Sequence, residues 1–306
     1  MPAVARIDPK SLFTPEEWAR LSPRSTWRGL MLVAGGWALI GAAGAMFILW
    51  PNPLTYVLAV MLIGARQLGL AILMHDAAHG ALHPNQDIND WVGEWLCAAP
   101  VGGRLDSYRA YHLKHHRYTE QPEDPDLPLS APFPITRASL WRKIVRDLTG
   151  QTFFKQRAAQ LFGARKPGEV VNTSTAHFLI VNALLLAALV AAGYWWAYPA
   201  LWIAPMATWF PLVTRLRNIA EHACVDTRDD PFSHARTTKA NVLERLLIAP
   251  YWVHFHAEHH VFMHVPCYRL ERMHAMLRDK GLHARMQIAP GYLSVLRQAT
   301  SAPAAA

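Results

Sequence analysis

The chain has 306 residues, a formal net charge of +8, 52% hydrophobic residues and three cysteines. Cys97, Cys224 and Cys267 have no CxxC spacing, which argues against an iron–sulfur ligand set or a disulfide framework and leaves buried, inert thiols. The charge fits nucleic acid, a membrane surface or an acidic protein partner, and its distribution along the chain decides among them.

Residues 1–23 carry Asp8, Glu16 and Glu17 and lack an apolar core followed by a small-residue cleavage site, so they do not read as a cleaved signal. Arg24 and Arg28 precede a first apolar run at 29–50, and Pro51-Asn52-Pro53 joins it to a second at 54–74. A third covers 176–198. A fourth, 200–213, is short and must borrow 214–219 to reach the roughly 20 residues that a crossing helix needs. The pattern predicts four transmembrane helices in two hairpins. A polar helical segment between the hairpins and another after them would form a cytoplasmic cap. Clumping of the apolar residues overrides a two-domain reading from length, so residues 1–300 form one membrane domain and 301–306 a disordered tail.

Neither hairpin turn carries charge, whereas Arg215 and Arg217 end the fourth run. The middle segment is basic, with Arg137, Arg142, Lys143, Arg146, Lys155, Arg157, Arg165 and Lys166. The positive-inside rule then places both termini and the middle segment in the cytoplasm. This distribution fits a membrane-facing surface rather than a nucleic-acid groove. Trp50, Tyr56, Tyr194, Trp195, Trp196, Tyr198 and Trp202 sit at the outer ends and read as interfacial belts, with core packing as the alternative. Arg66 and Gln67 fall inside the second run. Arg66 is expected to meet a polar substrate end or an interior partner such as Asn182, or to bond helix to helix.

Nine histidines fall in four clusters at the cytoplasmic ends of these runs: His75 and His79 in HDAAHG; His112, His115 and His116 in HLKHH; His222 in RNIAEH; and His256, His259 and His260 in HAEHH. Residues three or four apart share a helical face, so each multi-histidine cluster presents its rings in one direction. Neutral imidazole is the commonest metal ligand among side chains, and nine suit two ions better than one. Asn218 stands four before His222 on the same face, where its amide would hold a metal-bound water or cap backbone groups. Asp76, Glu221, Glu258, and Asp124 with Asp126 accompany the clusters; of these Asp76, Glu221 and Glu258 would accept the second N–H of a ligating ring, ordinary solvent exposure being the alternative. His83 and His254 are possible substitutes for a ligand. His177 reads as interfacial, and His234, His264, His274 and His283 as surface or supporting residues. Imidazole suits zinc, copper, iron and nickel, and spacing alone does not separate them.

HDAAHG, HLKHH and HAEHH resemble the three histidine boxes of the integral-membrane fatty acid desaturase superfamily. EHHVFMHVPCYRL, DPDL after HLKHHRYTEQPE, and NIAEH resemble the sequences around them, and the likeness covers roughly residues 28 to 280. Box one here is His-x-x-x-His, where some members carry one more residue. The resemblance implies a two-iron centre ligated by His75, His79, His112, His115, His116, His222, His256, His259 and His260, with Asn218 acting through water. It implies dioxygen as co-substrate, an apolar lipid substrate, and desaturation of an acyl chain. A hydroxylase or ketolase acting on a carotenoid, sphingoid base or sterol is the alternative within the superfamily. No electron-donor domain is recognisable, so a separate ferredoxin or cytochrome b5-like donor with its reductase is expected, docking on the basic face or leaving that face to anionic headgroups. The implied location is a bacterial inner membrane with the site on the cytoplasmic side. A membrane metal carrier without catalysis is the remaining reading, and it predicts polar residues along the crossing helices.

Overall fold

A computed structural model describes residues 3–162, 174–226 and 230–302. The chain is predominantly helical. Helix α1 spans Arg28–Leu49 and α2 spans Pro53–Ala78. Both have a mean hydropathy of 2.0 over their most apolar stretch and are long enough to cross a membrane. The turn between them is also the start of α2. Asn52 accepts from the backbone N–H groups of Leu54 and Thr55, and Pro53 occupies the first helical position. The two helices differ in environment: 17% of the α1 stretch is buried within the protein against 67% of α2. Helix α1 therefore lies on the outside of the protein, and α2 is the central post of the fold.

Helix α3 (Gln86–Val92) follows, then α4 (Leu105–Tyr118), α5 (Arg137–Leu148) and α6 (Gln151–Phe162). Helix α5 carries its basic residues beside an exposed Trp141, and Asp147 at its buried end pairs with Arg215 at 2.5 Å. The basic pair Arg165 and Lys166 lies outside the described residues, as do residues 303–306 of the expected disordered tail.

The second hairpin departs from expectation. Helix α7 (Ser174–Ala191) is apolar but shorter than a full crossing, and the run at 200–213 is not one helix. It consists of a wide turn at Tyr198–Ile203, a short helix at Ala204–Ala207, a break at Thr208, and then α8 (Trp209–His222). Pro211 explains the break. Its ring would clash with the carbonyl of residue 207 in a continuous helix, so the chain restarts at Thr208 with φ −123° and ψ −73°. Among the described residues only α1 and α2 meet the length and hydropathy of a crossing helix.

The polar residues inside α2 are used structurally. Arg66 donates to the Leu246 carbonyl at 2.7 Å, at the end of α9 (Val242–Leu247), and lies 5.6 Å over the Tyr251 ring. It does not meet Asn182, whose carbonyl oxygen accepts from Trp202 at 2.7 Å and Tyr198 at 3.1 Å. Gln67 donates to the Trp202 carbonyl at 2.9 Å. Trp202 is buried and stacks on Trp37 with centroids 5.6 Å apart, so it belongs to the core, whereas Trp50 and Trp195 are exposed as the belt reading expects.

The cap is completed by α10 (His256–Val261), α11 (Leu270–Asp279), α12 (Tyr292–Ala299) and a two-stranded parallel ladder of β1 (Arg236–Thr238) and β2 (Gln287–Ala289). The ladder is buried at β1 and fixes the loop that leads into α10. Cys97 and Cys267 are buried free thiols, as the sequence suggests, and Cys224 is partly exposed.

Candidate metal centre

Four helix ends meet below the α2 post. His75 lies in the last turn of α2 and His79 follows at its cap. Helix α4 turns His112, His115 and His116 inward while Tyr111, Leu113 and Lys114 remain exposed on its outer side. Helix α8 ends on His222, and α10 brings His256, His259 and His260.

The nine rings sort into two groups. His75, His79, His112, His116 and His259 offer one nitrogen each within 4.8 Å of one another, and so do His115, His222, His256 and His260. The groups adjoin, with the His116 and His260 rings 4.3 Å apart.

The ring nitrogens themselves test whether cations fit. In the second group the Nδ1 atoms face acceptors. His115 Nδ1 lies 2.8 Å from Asp124, His222 Nδ1 lies 3.2 Å from the His234 carbonyl, and His256 Nδ1 lies 3.4 Å from Glu221. A neutral imidazole has one N–H, so these contacts put the proton on Nδ1 and leave Nε2 as a lone pair. Those lone pairs then converge: His222 to His256 at 2.9 Å, His256 to His260 at 3.1 Å, and His115 to His260 at 3.3 Å. The first group repeats the pattern, with His116 Nε2 3.0 Å from both His112 and His259. Nε2 of His75 and both ring nitrogens of His79 are buried without a hydrogen-bond partner among the described residues. Buried polar atoms without partners are rare and costly. Two shared cations would take one nitrogen from each of these nine rings, and imidazole is a fitting donor for iron.

Burial also favours the ligating protonation state. Desolvation, reinforced by neighbouring imidazoles, pushes His112, His116, His222, His256, His259 and His260 well below the ordinary value of 6.5. Desolvation raises Glu120 and Glu221 to about 7. A linkage prediction follows for metal-stripped protein. Below pH 6.5 the unfolded chain takes up protons at those six rings that the folded chain refuses, so folding stability is lost as pH falls toward the depressed values. The two glutamates act oppositely, since below about pH 7 the folded chain protonates them before the unfolded chain does. Six groups outweigh two, so the melting temperature of stripped protein in detergent should drop between pH 6.5 and 5.5. A flat or rising melting temperature over that interval would contradict the burial of these rings.

The acidic residues separate on inspection. Glu221 lies beside His256, as its sequence position suggests, and also pairs with Arg217 at 2.6 Å. Asp76 lies 3.7 Å from its neighbour His75, but its closer partner is the Cys267 backbone N–H at 2.9 Å, so it ties the end of α2 to the loop before α11. Glu258 touches no ligand ring. It accepts from Thr237 and from His274 Nδ1, which corrects the expectation that it supports a ligating histidine. The carboxylate that takes this role instead is Asp124, on His115, while Glu120 lies 3.6 Å from His222, whose Nδ1 bonds the His234 carbonyl. The sequence signal is proximity: Glu120 and Asp124 follow HLKHH by four and eight residues, where a loop returns Asp124 to the helix it left.

Asn218 lines a cavity with Tyr108, Arg217, Glu221, His222 and His256, beside the second group. His83 and His254 join neither group. His83 accepts from the Asn85 N–H at 3.0 Å, and His254 packs on Phe255. His177 pairs with Glu94 at 2.5 Å. His264 lies against the His79 carbonyl at 3.2 Å.

The chain is similar to known proteins over most of its length. Over 284 residues the chain is 29% identical to a dihydrorhizobitoxine desaturase of Bradyrhizobium elkanii, covering 87% of this chain and 77% of that protein. It is 21% identical over 290 residues to an sn-1 oleoyl-lipid 12-desaturase of Synechocystis, covering 87% and 79%. It is 26% identical over 243 residues to a beta-carotene ketolase of Paracoccus, covering 74% and 84%. The fatty acid desaturase family profile matches residues 51–290, a span that holds all nine converging histidines, and the chain belongs to that family.

Proposed function

We propose that this protein is a membrane di-iron oxidoreductase that uses dioxygen and an external electron donor to desaturate an acyl chain. The observation that carries the reading is the convergence of nine imidazole lone pairs on two adjacent points at the end of an apolar helix. In this reading His75, His79, His112, His116 and His259 hold one ion. His115, His222, His256 and His260 hold the other, and Asn218 reaches it through water. Asp124, the His234 carbonyl and Glu221 face the Nδ1 atoms of His115, His222 and His256 and favour the Nδ1–H tautomer, so that Nε2 faces inward.

A reducible iron pair supplies the one thing side chains lack here, an oxidant formed from dioxygen that is strong enough for an unactivated methylene. Dioxygen takes four electrons to become two waters. Removal of two hydrogens from the substrate gives two electrons, and a separate ferredoxin or cytochrome b5-like donor, served by its reductase, gives the other two. The protein's own contribution is position and dryness. A cavity of about 180 Å³ lies between residues Val4–Ile7, Trp18 and Phe262 and reaches His116 and His260, one ring from each group. Its mixed apolar lining suits part of a hydrocarbon chain.

The reading places both termini and the histidine groups on the cytoplasmic side of a bacterial inner membrane, because charge avoids the hairpin turns. A metal carrier is disfavoured, since Arg66 and Gln67 in α2 are bonded to backbone carbonyls and do not form a polar path. Hydroxylation or ketolation stays as the second reading, favoured by the match to a beta-carotene ketolase. The two outcomes differ in substrate placement by an ångström or so. Lipid profiling of a host that expresses the chain decides. New double bonds that vanish in the His116→Ala variant are expected, new hydroxyl or keto groups select the second reading, and an unchanged profile with an active donor system overturns both.

A further inference from the structure

We propose that Glu258, His274 and His283 form a third metal site, separate from the nine-histidine centre, that takes an exchangeable divalent cation of the zinc class. The three residues come from different elements: α10, α11 and the 3-10 turn at Leu282–Arg285. Each offers a donor atom, and the three donors lie within 4.8 Å of one another. Nothing in the sequence pairs them, since His274 and His283 stand apart from every histidine box.

The site faces away from the nine rings. Glu258 is one residue from His259 and two from His256, positions that point to other sides of α10. Its carboxylate is fully buried, with Thr237 on Oε2 and His274 Nδ1 2.5 Å from Oε1. Burying a carboxylate is costly without compensating partners. The third ring is not bonded to it. His283 instead packs at a tilt of 39° against His274, centroids 4.3 Å apart, and is anchored through Nε2 to the His274 carbonyl at 3.0 Å. Two imidazoles gathered beside one buried carboxylate make the donor set His₂Glu, which suits zinc with an open position for water. Both histidines are partly exposed, so an ion has an entry path. Ligands around zinc stand roughly 3.3 Å apart, which the partly exposed rings reach by small side-chain rotations.

The test uses the full, iron-loaded protein in detergent, treated with micromolar zinc sulfate and desalted, with iron and zinc counted by mass spectrometry. The expected result is one added zinc per chain with iron unchanged. Both His283→Ala and His274→Gln should lose that zinc and keep their iron. The glutamine retains a hydrogen-bond donor for Glu258, so a folding defect does not mimic the result. Zinc-edge X-ray absorption of the parent should report two imidazoles among oxygen donors. Zinc gained only at the expense of iron, no zinc gained, or equal uptake in parent and both variants would overturn the proposal and leave a hydrogen-bonded cluster. The zinc difference between parent and variants can be read whatever metal fills the nine-histidine groups, so its failure is distinct from failure of the oxidase reading.

Discussion

The His259→Ala variant should lose activity by about three orders of magnitude or more while still inserting in the membrane. His259 touches every other ring of the first group. Its Nε2 lies 3.0 Å from that of His116, and its ring centroid lies 4.3 Å from His75 and 4.8 Å from His79. Removing it opens one wall of the donor set and leaves neighbouring lone pairs without a shared cation. Residues that act as a unit fail as a unit, so His116→Ala should match it and the double variant should be little worse than either single one. Insertion depends on α1 and α2, whose apolar surfaces the substitution does not touch. His83→Ala is the control, because that ring bonds Asn85 and stands outside both groups. The measurement is iron content together with oxidised lipid product in the same membrane preparation. Full turnover by His259→Ala would sink the nine-histidine centre.

The spacing of the histidines was legible because it is local. Three- and four-residue separations on a helix need no knowledge of the fold to predict a shared face, and each box behaves that way. What spacing does not encode is which boxes share an ion. His112 and His116 go with the first group, whereas His115, on the same helix, goes with the second. That division depends on the docking of α8 and α10 against α4, a tertiary fact. The same limit explains the carboxylates. Sequence adjacency pointed to Glu258, but adjacent residues on a helix face different ways, and it turned to His274. Asp124, nine residues beyond His115, was brought back by a loop. Hydropathy read α1 and α2 correctly because their runs are continuous. It overread 200–213, where Pro211 breaks a helix without lowering the apolar average.

Asp124→Asn should weaken metal retention about 10- to 100-fold, the usual loss when a partner that orients a ligating histidine is removed. Asp124 is buried, and every bond it makes is accepted. Oδ1 takes His115 Nδ1–H at 2.8 Å and the Asp126 N–H at 2.8 Å, and Oδ2 takes the Glu120 N–H at 2.9 Å. An asparagine at this position has one acceptor and one donor end. If its oxygen faces His115, its NH₂ group meets the Glu120 N–H, donor against donor. If its NH₂ faces His115, Nδ1 must accept, and the ring proton moves to Nε2. That nitrogen points toward His260 at 3.3 Å, so the proton would occupy the lone pair the second group supplies. Either arrangement costs a buried hydrogen bond, and the second also removes a ligand. Asp126→Asn is the comparison. Asp126 lies 3.7 Å from His115 and holds Tyr111 instead, so its loss should be much smaller. Chelator challenge of iron-loaded protein, followed by iron counting, measures both. If Asp124→Asn retains iron as tightly as the parent, the second group does not depend on the His115 tautomer, and the inward-facing Nε2 set loses its main support.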